Sequence, residues 1–169
     1  MTDRPIENPL FYTDSAERCQ AWIDDLTAQA APPQDPSDVL AGIVPHAGWS
    51  YSGAVAAQVW KHLQVRSKPE VIIIFGAVHY PGAPRNAAYP GGAWSSPLGP
   101  VPVDGNLADT LRKQLDTLLD VDASAHAQEH SIEVQIPFVR ALFPDTRILP
   151  IAVPPGSQSA ALGTRVAEV

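Results

Sequence analysis

The sequence predicts an α/β domain, a three-layer sandwich built around a largely parallel sheet, and three observations lead there. Short apolar, strand-like runs alternate along the chain with segments of helical spacing. The clearest run, residues 71–75 (VIIIF), is β-branched and uninterrupted, as strands covered on both faces of a parallel sheet tend to be. The length, 169 residues, suits one domain with a substantial core, so residues 1–169 are read as a single unit.

Each element has its own signal. Residues 1–13 lack periodicity and are expected to lie as an extended arm over the body. Asp14 followed by Glu17 looks like a capping box. Behind it Cys19, Trp22, Ile23 and Leu26 form one stripe of an amphipathic helix, with Cys19 as a packing thiol within the stripe. Residues 31–38 (APPQDPSD) read as an internal linker, because prolines and acceptor side chains disfavour helix there. Residues 39–44 (VLAGIV) read as a strand buried on both faces. Residues 53–63 read as a helix, with Val55, Val59 and Leu63 four apart. After the strand at 71–75, residues 76–105 are rich in Gly and Pro and read as a loop. Residues 106–119 return to helical spacing through Leu107, Leu111, Leu115 and Leu118. A helix is expected over 131–143, with Pro137 forcing a kink or a short first turn. A strand over 147–153 and a helix from 157 complete the pattern.

Composition excludes several classes of function. Eleven Lys+Arg against 18 Asp+Glu give a formal charge of −7, so the chain lacks the basic face that nucleic acid or an anionic membrane requires. No apolar run approaches the ~20 residues that span a bilayer, and the first residues show no signal-peptide core. A single cysteine leaves no intrachain disulfide and no multi-thiolate zinc site, which fits a reduced, cytoplasmic protein. No phosphate-cradling glycine loop is present, so no nucleotide cofactor is expected, and no Gly-x-Ser-x-Gly elbow supports serine-hydrolase chemistry.

The chemistry concentrates in three places. His46 and His79 each follow a strand candidate by a residue or more, in Pro45-His46-Ala47-Gly48 and Gly76-Ala77-Val78-His79. Ligands of open α/β sheets bind beyond the carboxyl ends of the strands, so neighbouring strands would bring both imidazoles into one crevice. Either histidine alone reads as an ordinary loop residue; the matched pair points to metal or substrate binding. The third place is Glu129-His130-Ser131-Ile132-Glu133 at a helix start, where the dipole favours a neutral imidazole. Two histidines and a carboxylate would make the facial triad of a non-haem Fe(II) site, and Glu129, Glu133 and Asp104 are the available carboxylates. Glu129 and Glu133 by themselves read first as N-terminal-turn charges interacting with the helix dipole. Trp49, Tyr51, Tyr80 and Trp94 could line the crevice or cover the core, the latter suiting Trp94 better. His62 reads as a surface or cap residue near a helix end, and His126 lies in a polar loop with no evident partner.

These segments resemble a known family. Residues 45–53 (PHAGWSYSG) are similar to the PHAGY-x-YSG signature of the Memo-like family, whose bacterial members are called AmmeMemoRadiSam system protein B. Residues 129–138 (EHSIEVQIPF) match its EHS-[IL]-E-x-x-[LI]-P segment, and residues 76–79 (GAVH) fit its strand-end G-P-x-H with Ala77 in place of proline. The resemblance implies a fold similar to the class III extradiol dioxygenases, with His46 and His79 as metal ligands and His130 as the catalytic cleft histidine. Tyr51, Tyr80, Glu129 and Glu133 would then line the cleft or stand behind the ligands. Tyr80 occupies a position where many relatives carry a second histidine. The resemblance also implies a chain lacking the C-terminal third of the family, where a further histidine and a late ligand lie.

Two functions are expected from this reading. One is a redox-metal protein holding Fe(II) or copper at His46 and His79, with His130 as a donor behind the ligands or as acid/base, a small molecule or peptide in the cleft, and radical-SAM and AMMECR-type partner proteins. The other is a non-catalytic module that binds a peptide or small anion in the same cleft.

Overall fold

A computed structural model describes residues 3–31, 39–80 and 85–169; most of the expected linker, residues 32–38, lies outside the described residues. Helix α1 (Ala16–Ala28) starts one residue later than Asp14 suggested. The Ser15 hydroxyl accepts the Arg18 backbone N–H at 3.3 Å, which places Glu17 one position short of a reciprocal box. Its stripe is as expected: Cys19, Ile23 and Leu26 are buried, and burial pushes the Cys19 thiol up to about 11. Helix α2 (Trp49–Arg66), capped by Gly48, begins four residues before the expected start. Its buried face is Trp49, Gly53, Ala56, Ala57 and Trp60, whereas Val55 is 59% exposed. Small residues let α1 approach closely here; a Cβ on Gly53 would stand 3.1 Å from Leu26 Cδ1.

The sheet comprises β1 (Val71–Ala77), β2 (Ala87–Ala88), β3 (Gly92–Trp94), β4 (Val101–Val103), β5 (Asp120–Val121) and β6 (Arg147–Val153). Its order is β3-β4-β6-β2-β5, with β1 also paired to β6. β1 and β6 run parallel in register from Val71↔Arg147 to Ala77↔Val153, and β4·β6 and β2·β5 are parallel too. β2·β6 and β3·β4 are antiparallel, so the sheet is mixed rather than largely parallel. The antiparallel strands come from residues 76–105, read as loop. Two- and three-residue strands carry no readable alternation, and reversal needs only tight turns such as those at Gly91, Gly92 and Gly99, all at positive φ.

Residues 39–44 form no strand, contrary to expectation; they run as extended coil with Leu40 97% and Ile43 95% exposed. A strand needs a hydrogen-bonding neighbour, and no described residue pairs with them.

Side chains of the two long strands alternate between two hydrophobic clusters with a period of two, β6 buried on both faces and β1 only in part. Ile72, Ile74 and Ile148 face a cluster built on α1, α2 and α4 (Ile136–Leu142), with Ile23, Trp60, Phe138 and Val139. Val71, Ile73, Leu149 and Ile151 face a second cluster with α3 (Gly105–Leu115) and α5 (Ser159–Val166). Pro137 shortens rather than kinks its helix: a 3-10 turn at Glu133–Gln135 precedes α4, and the proline sits in α4's first turn, where its missing N–H breaks no bond. Trp49 and Trp94 are both core residues.

The N-terminal arm is present and tied down by charge. Arg4 is buried over the Trp94 ring and donates to Glu133 Oε2 at 2.7 Å, to the His126 carbonyl and to the Glu129 carbonyl. Glu133, fully buried, also accepts the Glu7 and Asn8 N–H groups, Asn8 Nδ2 and the Tyr12 hydroxyl. Removing one partner strands the other charge in the core, so Glu133→Ala should cost about 3–5 kcal/mol in urea unfolding. The Arg4→Ala, Glu133→Ala double variant should lose clearly less than the sum of the singles.

His126 is another buried polar group, not a loop residue as its sequence surroundings suggested. Its Nε2 lies 3.0 Å from the Ala87 carbonyl, and Nδ1 meets no hydrogen-bond partner. Burial, with the Arg4 guanidinium nearby, pulls its pKa down to about 4 against burial-free 6.5. The unfolded chain therefore binds the extra proton first, and stability falls as pH drops from 6.5 towards 4. The full loss at this residue is roughly 3 kcal/mol. Urea unfolding across that window should show the loss in the native sequence and a shallower slope in His126→Gln.

Candidate functional site

His46 lies in the turn between residues 39–44 and α2, and the turn is held from below. Gln135 Nε2 donates to the Pro45 carbonyl at 2.9 Å, and its Oε1 accepts Trp60 Nε1 at 2.9 Å. Trp49 Nε1 adds a bond to the Val134 carbonyl. His79 stands two residues past the end of β1, and the Ser131 hydroxyl donates to the Ala77 carbonyl at that end. His130 precedes Ser131 in the same segment. The three rings meet: centroids are 5.2 Å apart for His46 and His79, 5.8 Å for His46 and His130, and 4.6 Å for His79 and His130. One nitrogen from each lies within 4.8 Å of the others. The expected convergence of the two loop imidazoles is thus observed, although only one of them follows a formed strand.

Glu129 organises the group from behind. Its Oε2 accepts the His79 N–H at 2.7 Å, and Oε1 accepts the His130 and Ser131 N–H groups at 2.8 and 2.9 Å. Oε1 also lies 2.8 Å from His79 Nδ1. Burial raises the carboxyl pKa, but the bonds from Ser131, His79 and His130 outweigh it and hold it below the usual range. An ionised carboxylate only accepts, so His79 Nδ1 carries a proton, and in the neutral ring the lone pair is on Nε2. Burial, reinforced by neighbouring imidazoles, lowers the pKa of His46 and of His130, whereas Glu129 acts in the opposite direction. Both rings are therefore neutral near pH 7, the form in which imidazole coordinates. Phe11 of the arm stacks on His130 with centroids 4.4 Å apart.

This donor set fits a metal ion. Three imidazole nitrogens at about 2.1 Å from one ion stand about 3.0–3.4 Å from each other, within reach of small side-chain rotations from the observed spacing. The carboxylate behind His79 is the outer partner that metal-bound histidines commonly have.

The other residues singled out in the sequence have partners or exposure of their own. Glu133 anchors the arm, and Asp104 caps α3 through the Leu107 N–H while pairing with Arg147. Tyr51 is 89% exposed on the first turn of α2, and Tyr80, next to His79, is 46% exposed. His62 bonds Gln58 and the Ala31 carbonyl. Phe11, Ser131 and Gln135 were not foreseen as site-shaping residues. Phe11 sits in an arm without periodicity, and a hydroxyl or amide that binds distant backbone leaves no local pattern.

Comparison with known proteins adds a family to this geometry. The family described as Memo-like protein matches residues 6–169. A MEMO1 family protein of Pyrobaculum arsenaticum is 46% identical over 157 residues, covering 89% of this chain and 55% of the relative. One of Methanobrevibacter smithii is 34% identical over 168 residues, 94% of this chain and 58% of the relative. Another, of Pyrococcus furiosus, is 35% identical over 160 residues, with 90% and 53% covered. The chain spans a little over half the length of these relatives.

The carboxylate contact makes a spectroscopic prediction. In nitrogen-15 spectra above neutral pH, His79 should appear as the Nδ1–H tautomer, and Glu129→Gln should shift it to a mixture of both tautomers.

Proposed function

The chain belongs to the Memo-like family, and on that premise we propose that its histidine cluster is a redox-metal site, with Fe(II) or copper held by His46, His79 and His130. The observation that carries this reading is three imidazole nitrogens within 4.8 Å, backed by a buried carboxylate that fixes the tautomer of one of them. Imidazole suits both metals. His130 then serves as the third nitrogen donor, a role beyond the acid/base function inferred from its motif. When bound, such a metal supplies electron transfer and activation of a coordinated small molecule. The chain's own residues keep two imidazoles neutral, orient His79 through Glu129, and cover His130 with Phe11.

The helices over both faces of the sheet support reading the fold as a three-layer sandwich similar to the class III extradiol dioxygenases. A small molecule or peptide in the cleft, a cytoplasmic setting, and radical-SAM and AMMECR-type partners belong to the same proposal. No helix among the described residues is long and apolar enough to cross a membrane.

Anaerobic titration with Fe(II) and with copper, followed by elemental analysis, tests the site. One equivalent should bind, and His46→Ala or His79→Ala should abolish stoichiometric uptake. Glu129→Gln should weaken affinity about 10–100-fold, as loss of outer-shell carboxylates does. Absence of uptake, or uptake indifferent to both histidine variants, overturns the proposal. A metal-free protein that binds a small anion or peptide through the same residues would establish the binding-module reading in its place.

A further inference from the structure

Three oxidisable rings form a line that leads from the histidine cluster to the surface. Phe11, whose ring stacks on His130 at 4.4 Å, is followed in the chain by Tyr12, and the Tyr12 and Trp49 centroids are 5.7 Å apart. Trp49 in turn stands 5.6 Å from Trp22 of α1. Tyr12 and Trp49 are buried, whereas Trp22 is only partly so. The inner end of the line therefore abuts a residue that covers the cluster, and the outer end meets solvent.

The polar contacts of these rings suit the passage of single electrons. A phenol that loses an electron becomes a strong acid, so tyrosine is oxidised readily only where a base takes its proton. The Tyr12 hydroxyl donates to Glu133 Oε1 at 3.1 Å, and the other oxygen of that carboxylate is held by Arg4. Burial and the Glu133 charge oppose simple ionisation of the phenol, so its proton leaves only together with an electron. Trp49 Nε1 donates to the Val134 carbonyl at 2.9 Å, an acceptor too weakly basic to remove the proton, so this ring passes an electron and keeps its hydrogen. Trp22, at the solvent margin, can release its proton to water. A second aromatic group is built the other way. Tyr89, Trp94 and His126 stand 5.4–5.6 Å apart, but the Arg4 guanidinium lies 4.2 Å over the Trp94 ring. A cation on that face stabilises the electron-rich ring and opposes loss of an electron from it.

We propose that Tyr12, Trp49 and Trp22 form a one-electron relay that supplies reducing equivalents from the protein surface to the histidine cluster. Its inner terminus rests on the redox-metal reading of that cluster. The oxidant consumed there is of the peroxide class, and the reductant at the surface is a thiol. In each passage Tyr12 gives an electron towards the cluster while its phenolic proton moves to Glu133. Trp49 refills Tyr12 with an electron as that proton returns, and Trp22 refills Trp49 and releases its indole proton to solvent. Two passages, with two protons, reduce hydrogen peroxide to two waters. A thiol returns a hydrogen atom to the Trp22 radical each time, and the two thiyl radicals combine as a disulfide.

The rings are tested first without metal. A ruthenium polypyridyl photo-oxidant is attached at Asp25→Cys, an exposed site on α1 one turn from Trp22, the native Cys19 being fully buried. After a flash, tryptophan-radical absorption should give way to that of a tyrosyl radical. Tyr12→Phe should eliminate the tyrosyl band and leave the tryptophan signal, Trp49→Phe should eliminate the transfer, and Tyr89→Phe should change nothing. With Fe(II) or copper bound, hydrogen peroxide in the absence of thiol should oxidise Trp22, read by peptide mass spectrometry, and Trp22→Phe should move the oxidation onto His46, His79 and His130. The relay is overturned if no tyrosyl band forms or if the band survives Tyr12→Phe. It is overturned equally if the loaded native chain oxidises its clustered histidines and spares Trp22. A chain that takes up no metal yet shows the Tyr12-dependent band supports the ring-to-ring transfer and overturns the metal reading instead.

Discussion

The hydrogen-bonding pattern of residues 129–135 is the constraint on which the rest of this structure depends. Alternate polar residues in this stretch each reach a different part of the molecule. Glu129 gathers His79 and two of the segment's own N–H groups, Ser131 holds the end of β1, Glu133 holds the arm, and Gln135 holds the turn before His46. A continuous α-helix could not distribute side chains this way, because residues four apart share a face, which would put Glu129 with Glu133 and Ser131 with Gln135. Pro137 keeps the regular helix from extending back over the segment, and the 3-10 turn at Glu133–Gln135 opens the geometry instead. The histidine cluster is therefore positioned by backbone and carboxylate contacts made some distance from its rings.

This arrangement buries charge, which is costly, and compensates with dense hydrogen bonding. Glu133 meets five donors from four residues of the arm, one of them the Arg4 guanidinium at 2.7 Å. The gain is specificity of placement more than net stability, since an apolar replacement of a buried pair can be as stable. Placement matters because the anchored arm delivers Phe11 onto the His130 ring. The same arm extends the sheet at its far edge, where Arg4 bridges to Trp94, so the site and the sheet margin share a single restraint.

Membership of the Memo-like family and the shape of the sheet bear on each other. The matched residues hold all three clustered histidines and both hydrophobic layers, while the chain covers 55% of the length of its Pyrobaculum arsenaticum relative. Among the described residues, β1 has β6 as its strand neighbour, and the apolar stretch at 39–44 has none. Burial elsewhere in the two long strands follows the alternation expected of a sheet with helices on both faces.

The sequence by itself determined the α/β class, the long strands begun at 71–75 and 147–153, the α1 stripe with its packing cysteine, and the three histidines that meet. Those signals are local: hydrophobic period, β-branching and motif spacing act within a few residues. Only tertiary structure decided the antiparallel pairings of β2 to β4, because two- and three-residue strands acquire their identity from a partner rather than from pattern. It likewise decided that residues 39–44 stay unpaired despite their strand-like composition, and that α2 buries alanines and tryptophans in place of its valines. The assignment of carboxylates was also beyond local reading. Glu129, Glu133 and Asp104 look alike along the chain; they differ because each pKa, partner and burial is set by contacts from residues up to 129 positions away.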